Sequence, residues 1–547
     1  MKFFMETLEG LVMRLPMMIG KLILSVVPPG RFLWAFGTSA AFSVAAFSFL
    51  AKFWQSVSQI KDMSIGKSMI PAIPLVYGGY LILTLPVFLV FSYLKEGNFG
   101  NGKNNDKRFS FSASQMHAAR KKARKGEVFL GRSMKTRRSV YLSNEMRQMH
   151  AHVVGSTGSG KTDSLILPLL AQDIRRGCGA LVMDAKGDRE TLNKIFFHVK
   201  KAGREKDFLF FSLAYPERSN TYNPLLRGNP TELKDKIISA NIWTEEFYKK
   251  KSEETLLLLM KSLREAGEAV TFQKLYDLLS NEKKLTDLAK RLKDPHLREL
   301  MINILGKFTV FQKDLAGLTA DLGMIAESEF SSLLLRETPE IDLLNAYLNK
   351  QIIYFQLNAQ GYEETARRFG RIVLQDLKTI SNYIQAYLPE EKRAFFPIYV
   401  DEFSNFAYEP FIEFLNKARG AHLGITIAHQ SLGDLEKTGS HFTKQVLENC
   451  NIKIVLRQDD PDSIETYARI SGTEKSLKDT IQTQEELFDK SPTGLGTVRE
   501  VDEFRVKPNV IRELGRGEAA LIIKQPFLTD VIQLEYIGQI PQQNYVA

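Results

Sequence analysis

Cysteine is almost absent from this chain: Cys178 and Cys450 are the only two among its 547 residues. Two cysteines cannot form a disulfide framework or a multi-cysteine zinc site, so the composition suits a reducing compartment. No internal repeat or low-complexity tail is visible, and 44% hydrophobic with 25% charged residues excludes a disordered or fibrous chain. The chain is therefore expected to be globular, with about two to four domains.

Acidic residues are scarce only in the first quarter of the chain. Residues 1–140 hold 20 Lys and Arg but 6 Asp and Glu, whereas residues 141–547 hold 53 and 57. The formal charge of +10 thus divides into +14 and −4. A basic surplus favours nucleic acid or a membrane surface as partner, and its position confines that expectation to the N-terminal segment.

Charged residues are missing altogether from residues 32–51 and 68–94, which are 20 and 27 residues long. Each run is long enough to cross a bilayer, whereas buried core helices rarely extend so far without a charge. Lys and Arg are more numerous outside the two runs than between them, which orients both termini towards the cytoplasm. The sequence predicts a two-helix transmembrane hairpin over residues 31–95, with spans at about 32–51 and 69–94.

The segments on either side of this hairpin carry basic residues. Residues 1–30 place apolar side chains at roughly 3.6-residue spacing, interrupted by Arg14 and Lys21, which predicts an amphipathic segment rather than a cleaved signal peptide. Residues 96–140 predict a basic membrane-proximal linker. Its clustered cations are Arg120, Lys121, Lys122, Arg124, Lys125, Arg132, Lys135, Arg137 and Arg138. These cations can contact lipid headgroups or nucleic acid, and we favour lipid.

A complete phosphate-loop pattern, G-x-x-x-x-G-K-[ST], occupies residues 155–162. Residues 150–154 before it predict a buried strand and residues 162–176 after it a helix, which is the context that the pattern requires. Lys161 can reach the β- and γ-phosphates, and the Thr162 hydroxyl can bind Mg²⁺. The predicted nucleotide-binding residues are Gly155, Ser156, Thr157, Gly158, Ser159, Gly160, Lys161 and Thr162.

A carboxylate at the end of a second strand completes such a site, and two segments offer one. Residues 181–184 end in Asp184, and residues 396–402 end in Asp401 and Glu402. The second segment fits better, because Asp401 could hold Mg²⁺ while Glu402 polarises the attacking water as general base. An acidic helix N-cap is the simpler alternative. No guanine-reading Asn/Thr-Lys-x-Asp sequence follows, so ATP is the expected nucleotide.

Two polar residues beyond Asp401 extend the predicted site. Arg419 ends a predicted helix at residues 410–418, and Gln430 follows a predicted strand at residues 424–428. Arg419 can serve as a finger on the nucleotide of a neighbouring subunit, or only as a cation at a helix C-terminus. Gln430 can sense the γ-phosphate or the water, or be a satisfied buried amide.

The two nucleotide motifs lie 239 residues apart, more than one strand–helix repeat requires. Residues 229–345 account for most of the excess and show helical periodicity with little strand pattern. The predicted helices cover residues 231–250, 252–266, 272–279, 285–292 and 296–305. The expected fold is α/β, with a P-loop ATPase domain at residues 141–228 and 346–547 interrupted by an inserted all-α domain at 229–345.

In this order the segments resemble the coupling proteins of type IV secretion and conjugation systems, of the TraD/TraG type. Ala185 departs from a proline that is frequent in that family, and the long C-terminal tail of many relatives is missing, which leaves substrate selection open. The matching features are the apolar hairpin, the phosphate loop, Asp184-Ala-Lys-Gly-Asp188, Tyr222-Asn-Pro-Leu225, the all-α insert, Val400-Asp-Glu402, Ala418-Arg-Gly420, Gln430-Ser431 and residues 508–517 before a last strand.

The resemblance implies a RecA-like ATPase, multi-pass in the bacterial inner membrane, that forms a homo-hexamer around a substrate channel. Asp401 and Glu402 would drive hydrolysis of ATP bound with Mg²⁺, Arg419 would be the finger acting in trans, and Gln430 would relay the nucleotide state. The implied partners are DNA with its relaxase and relaxosome proteins, the channel components of the secretion system, and membrane lipid. The alternatives are export of protein effectors, a septal-type DNA translocase, and a non-catalytic membrane scaffold.

Overall fold

The computed structural model describes residues 111–486 and 489–538, with side chains outside 478–498. These residues belong to one compact unit. The predicted amphipathic segment at 1–30 and the membrane hairpin at 31–95 lie outside the described ranges.

The predicted multi-pass membrane localisation is contradicted. Within residues 111–486 and 489–538, no helix is both long enough and apolar enough to cross a bilayer. A helix that crosses a bilayer needs about 20 predominantly apolar residues. The helix Glu363–Tyr387 has 25 residues, but it carries several charges, Arg371 and Asp376 among them.

A mixed sheet of eleven strands forms the centre of the unit, in the order β2-β1-β13-β12-β9-β3-β8-β7-β4-β6-β5. The seven strands from β9 to β5 are parallel, and those from β2 to β12 are antiparallel to their neighbours. Its strands are β1 (Glu127–Ser133), β2 (Ser139–Ser143), β3 (Ala151–Val154), β4 (Ala180–Asp184), β5 (Phe208–Ser212), β6 (Ile352–Gln356), β7 (Phe396–Asp401), β8 (Leu423–His429), β9 (Ile452–Val455), β12 (Glu518–Ile523) and β13 (Leu528–Leu534).

The central strands are continuous apolar runs because helices cover both faces of a parallel sheet. All five residues of β4 and all six of β7 are buried. Their register pairs Asp184 with Asp401, and Val154 of β3 pairs with His429 and Val455. The carboxyl ends of β3, β4 and β7 therefore meet at one edge of the sheet, which is where ligands bind in such folds.

Helices α1 to α4 and α14 to α19 surround the sheet, and helices α5 to α13 lie between β5 and β6. They are α1 (Ala113–Arg120), α2 (Asn144–Gln148), α3 (Leu167–Arg175), α4 (Arg189–Lys201), α5 (Pro230–Ala240), α6 (Glu246–Glu265), α7 (Phe272–Ser280), α8 (Glu282–Arg291), α9 (Pro295–Leu305), α10 (Phe308–Asp314), α11 (Ala316–Ala326), α12 (Ser331–Leu334), α13 (Leu343–Leu348), α14 (Glu363–Tyr387), α15 (Phe411–Ala418), α16 (Leu432–Glu436), α17 (Ser440–Asn449), α18 (Pro461–Ile470) and α19 (Pro508–Arg512).

A buried polar cluster joins α5, at the start of this helical region, to α14. Lys236 is 1% exposed, and its ammonium lies 2.6 Å from Oδ1 of Asp376. The Tyr222 hydroxyl donates to the other carboxylate oxygen at 2.6 Å. The carbonyls of Pro224 and Arg227 accept the remaining lysine protons. Every polar atom of the pair is satisfied, as burial of an ion pair requires.

The segment expected to be a basic linker, residues 96–140, differs from that prediction. Its described part forms α1, β1 and the beginning of β2, and β1 pairs with β13. Val128 and Leu130 of β1 are buried in the core under the sheet. The sequence of residues 96–140 does not readily show the short apolar run of β1, because basic residues lie on both sides of it.

Two further strands, β10 (Thr473–Glu486) and β11 (Asp489–Phe504), form a separate antiparallel ribbon. Their pairing runs from Thr473 with Phe504 to Glu486 with Asp489, with one shift in register after Ile481. At the usual rise per residue the ribbon is about 45 Å long.

Candidate nucleotide site

The phosphate loop begins where β3 ends and is fastened to both neighbouring strands. The Gly155 amide donates to the carbonyl of His429, and the Ser156 amide to that of Arg457. Gly160 has a φ of +103°, and a Cβ there would lie 2.7 Å from Oγ of Ser164, so this position requires glycine. A single π-helical turn, Lys161–Ile166, then leads into α3.

The phosphate loop has buried hydroxyls that make no hydrogen bond within the described part of the chain. Those of Ser156 and Ser159 have no partner among the described residues. Lys161 is 6% exposed, and its ammonium donates to the carbonyl of Gly155 at 2.6 Å. Burial lowers the pKa of Lys161, and the nearby carboxylates of Glu402 and Asp401 oppose that shift. This chemistry fits an anionic ligand such as a polyphosphate.

Thr162 and Asp401 meet at the mouth of the loop. The threonine hydroxyl donates to Oδ2 of Asp401 at 2.6 Å, although the two residues are 239 positions apart. Burial raises the pKa of Asp401, while Lys186 and the hydrogen bond from Thr162 act in the opposite direction. A hydroxyl and a carboxylate side by side are the pair that holds Mg²⁺ in P-loop proteins, so these residues fit that ion.

Asp184 lies beside Asp401 rather than being an alternative to it. Oδ2 of Asp184 accepts from the Tyr354 hydroxyl at 2.9 Å, and Oδ1 accepts from the Lys186 amide at 2.9 Å. Burial, and then the neighbouring Asp401, raise the pKa of Asp184 to about 6. The parallel register of β4 and β7 thus places two buried carboxyl groups side by side at the same edge of the sheet.

Glu402 is reached by two side chains from other elements. Nε2 of Gln430 donates to Oε2 of Glu402 at 3.4 Å, and the Lys186 ammonium lies 3.0 Å from Oε1. The Thr157 hydroxyl donates in turn to Oε1 of Gln430 at 3.2 Å. A chain of contacts therefore runs from the phosphate loop through Gln430 to the predicted general base.

These groups line one cleft of about 470 Å³. It contains the predicted residues Lys161, Thr162, Glu402 and Gln430, and Asp401 is hydrogen-bonded to Thr162. Two cations of the lining, Lys186 and Arg516, were not assigned a role from the sequence. Lys186 stands within the Asp184–Asp188 segment already noted, and Arg516 within the segment at residues 508–517.

Arg516 is held over the phosphate loop by two contacts. It lies 3.2 Å from Oδ2 of Asp163, and its guanidinium stacks over the ring of Tyr536 at 5.2 Å. The amide of the next residue, Gly517, donates to the carbonyl of Ser159. The C-terminal strands therefore contribute a cation to the cleft, close to the first turn after the loop.

Arg419 is not in this cleft. It follows α15 and precedes β8, whereas Gln430 follows β8, so the strand separates them. Arg419 is exposed and lines a different hollow with His150, which precedes β3, and Asn449, which precedes β9. Within one chain it therefore lies at the opposite edge of the sheet from the phosphate loop.

Comparison with known proteins adds to this geometry. Residues 396–504, which include Asp401, Glu402, Arg419 and Gln430, match the family model described as "TraM recognition site of TraD and TraG". The chain is 24% identical to the type 4 coupling protein DotL of Legionella pneumophila. These matches confirm the resemblance to type IV coupling proteins. The match with DotL covers 73% of this chain and 59% of DotL, so the chain spans less than two thirds of that relative.

Solved structures show what fold this chain has. TrwB, a bacterial conjugative coupling protein, is similar with a TM-score of 0.55 and 16% identity, over 78% of this chain and 92% of TrwB. TrwB in complex with ADP and Mg²⁺ gives a TM-score of 0.52 and 15% identity, over 80% and 94%. The chain thus has the α/β P-loop ATPase fold that the sequence predicts.

Proposed function

We propose that this coupling protein hydrolyses ATP and uses the energy to deliver DNA, with its bound relaxase, into a type IV secretion channel. The observation that carries the proposal is the contact of Thr162 with Asp401 at the phosphate loop, with Glu402 beside it in the same cleft. Similarity to type IV coupling proteins supports this transfer system. TrwB has been solved in complex with ADP and Mg²⁺, which supports the same ligands here.

Each side chain then has a defined task. The amides of the phosphate loop and Lys161 bind the β- and γ-phosphates, and Thr162 and Asp401 hold the metal. Bound Mg²⁺ supplies neutralisation of the charge that develops between the two terminal phosphates. Glu402 accepts the proton of the attacking water, and Gln430 keeps that carboxylate oriented through its 3.4 Å contact.

DNA as substrate is supported by the family match and by the similarity to TrwB, a conjugative coupling protein. A homo-hexamer is part of the proposal: as an arginine finger, Arg419 would have to act on a neighbouring subunit's nucleotide, because it lies away from the phosphate loop of its own chain. Relaxosome proteins and channel components are the partners that the match to a TraM recognition site favours.

ATP hydrolysis by the purified full-length chain tests this function. We expect turnover that rises on addition of DNA at low salt, and its loss in Lys161→Ala, which removes the phosphate-binding ammonium. If the intact chain binds ATP and assembles but DNA leaves its turnover unchanged, DNA is not its direct substrate.

Export of protein effectors is the second candidate. Residues 141–547 carry a formal charge of −4, which is not the footprint expected of a DNA-binding surface. Partners captured by the full-length chain discriminate the two: relaxosome proteins support DNA transfer, and effector proteins support export.

A further inference from the structure

The backbone of Lys186 is held next to Asp184, and its side chain contacts Glu402, the proposed general base. Its amide donates to Oδ1 of Asp184, and the carbonyl of Ala185 accepts from the amide of Ala359 at 2.7 Å. Gly187, next in the chain, has a φ of +73° and packs against Asn358. The backbone on either side of Lys186 is therefore held, while the side chain, 45% exposed, extends into the cleft.

The Lys186 ammonium and the Gln430 amide together occupy both oxygens of Glu402. A general base must present an oxygen to the water that it deprotonates. Burial opposes the charge of Lys186, but Asp401 and Glu402 outweigh burial and raise its pKa above the usual value. The lysine is thus a full cation, and as long as it stays on Glu402 one oxygen of the base is blocked.

The same cleft must hold the terminal phosphate of a bound nucleoside triphosphate. A terminal phosphate offers three strong acceptor oxygens and more negative charge than one carboxylate, and lysine is a common phosphate ligand. The ammonium of Lys186 sits on a flexible four-carbon stem, so it can exchange Glu402 for a phosphate without movement of the backbone.

We propose that Lys186 distinguishes nucleoside triphosphate from diphosphate: its ammonium leaves Glu402 for the γ-phosphate, and this frees the carboxylate to face the water. With a diphosphate the ion pair of Lys186 and Glu402 persists. The inference rests on the proposed ATP hydrolysis. It names Lys186 as the residue that makes hydrolysis depend on a bound nucleoside triphosphate.

Binding of ATPγS and of ADP to the full-length chain, with Mg²⁺, tests the assignment. Lys186→Met should weaken ATPγS binding about 10-fold or more, as expected for the loss of a charged hydrogen bond, and change ADP binding by less than about twofold. Lys186→Arg keeps the cation and should keep the preference for ATPγS. Lys284→Met, which removes a surface cation paired with Asp277 in the helical insert, should behave as the unchanged chain.

The outcomes separate this inference from the function on which it rests. Retained preference for ATPγS in Lys186→Met overturns the role of Lys186 alone. An equal loss of both ligands in Lys186→Met also overturns it, because the lysine would then only support the cleft; a thermal melt shows whether the variant is folded. If the unchanged chain binds neither ligand, the proposed function fails as well.

Discussion

Glu402 owes its place in the cleft to one unusual backbone angle. Successive residues of a strand point to opposite faces, so a carboxylate following Asp401 would normally point away from it. Glu402 instead has a φ of +50°, a left-handed conformation that costs a non-glycine residue about 1–2 kcal/mol. Asp401 thereby faces Thr162 while Glu402 faces Gln430 and Lys186. Strain of this kind is concentrated at functional sites.

The substitution Glu402→Gln tests the role of that carboxylate. We expect ATP binding to be retained, because Lys161 and Thr162 are untouched, and turnover to fall at least about 10²-fold with loss of the general base. Steady-state hydrolysis and equilibrium ATP binding measure the two effects. Glu409→Gln, an exposed position in the following loop, is the control. Near-normal turnover in Glu402→Gln would assign the base elsewhere.

Sequence predicts the residues of this site better than it predicts their contacts. The motifs identify Lys161, Thr162 and Asp401 because their chemistry fixes their spacing within a strand or loop. Asp184 and Asp401 stand as rivals in the sequence, since only the sheet register shows that both reach the same edge. Lys186 has no motif of its own, and its contact with Glu402 depends entirely on tertiary placement.

At the level of elements, β3 and β8 share a chain of neutral histidines. The Tyr467 hydroxyl donates to Nδ1 of His152, and His152 and His429 bond through their Nε2 atoms. Nδ1 of His429 donates to the carbonyl of Ser431. Each ring therefore has one donor and one acceptor in use, and no ring nitrogen is left to take a further proton.

Acid should destabilise the protein because it protonates buried histidines in and next to β3 and β8. Burial lowers the pKa of His150 and of His429 to about 4, and that of His152 well below its usual value. Each folded pKa lies below the unfolded value of 6.5, so this stability is present above pH 6.5 and lost as pH falls towards 4. Each histidine contributes up to about 1.4 kcal/mol per pH unit in that window.

Melting temperatures between pH 7.5 and 4.5 provide the measurement. The full-length chain should lose stability steeply below pH 6.5, and His150→Gln should lose it less steeply. His441→Gln, at an exposed position, should match the unchanged chain. An equal acid sensitivity in all three proteins would show that the buried ring of His150 does not control it.

The contact between α5 and α14 gives a second prediction at this scale. Lys236→Met leaves Asp376 buried without its cation, which should lower the free energy of unfolding by about 3–5 kcal/mol. The matched control is Lys378→Met, which removes a partly exposed ion pair with Glu413 and should cost less than about 1 kcal/mol. Urea denaturation compares them. Similar losses in both variants would mean that burial of the first pair is unimportant.

Helix boundaries show the limit of periodicity as a guide. The apolar pattern predicts helices at residues 231–250 and 252–266, whereas the chain forms Pro230–Ala240 and Glu246–Glu265. Asn241 ends the first helix with an extended backbone, and its neighbours keep the helical spacing of apolar residues across the break.

At the scale of the whole molecule, the position of Arg419 argues for assembly. Strand β8 has seven residues and is about 20 Å long, which places Arg419 too far from the phosphate loop of its own chain. An arginine finger must touch the nucleotide whose charge it stabilises. As the proposed finger, Arg419 would therefore act only in an oligomer, such as the proposed hexamer.

Complementation between two inactive chains tests this arrangement. Arg419→Ala should reduce turnover about 10³-fold or more while ATP affinity stays nearly unchanged, and Lys161→Ala should prevent binding at its own site. Mixed rings can pair an intact finger with an intact phosphate loop, so mixing the two variants should restore part of the activity. Joint purification of differently tagged chains confirms mixing. No recovery in confirmed mixed rings would exclude a finger in trans.

The order of the strands also determines when the nucleotide site can form during synthesis. Ala151 of β3 pairs with Thr426 and with Ile452, so the strand that carries the phosphate loop leaves the ribosome long before either neighbour exists. The helices of the insert can form through local contacts in the meantime, whereas long-range pairing is slow. A nascent chain halted before residue 452 would hold helices of the insert and an unfinished phosphate loop.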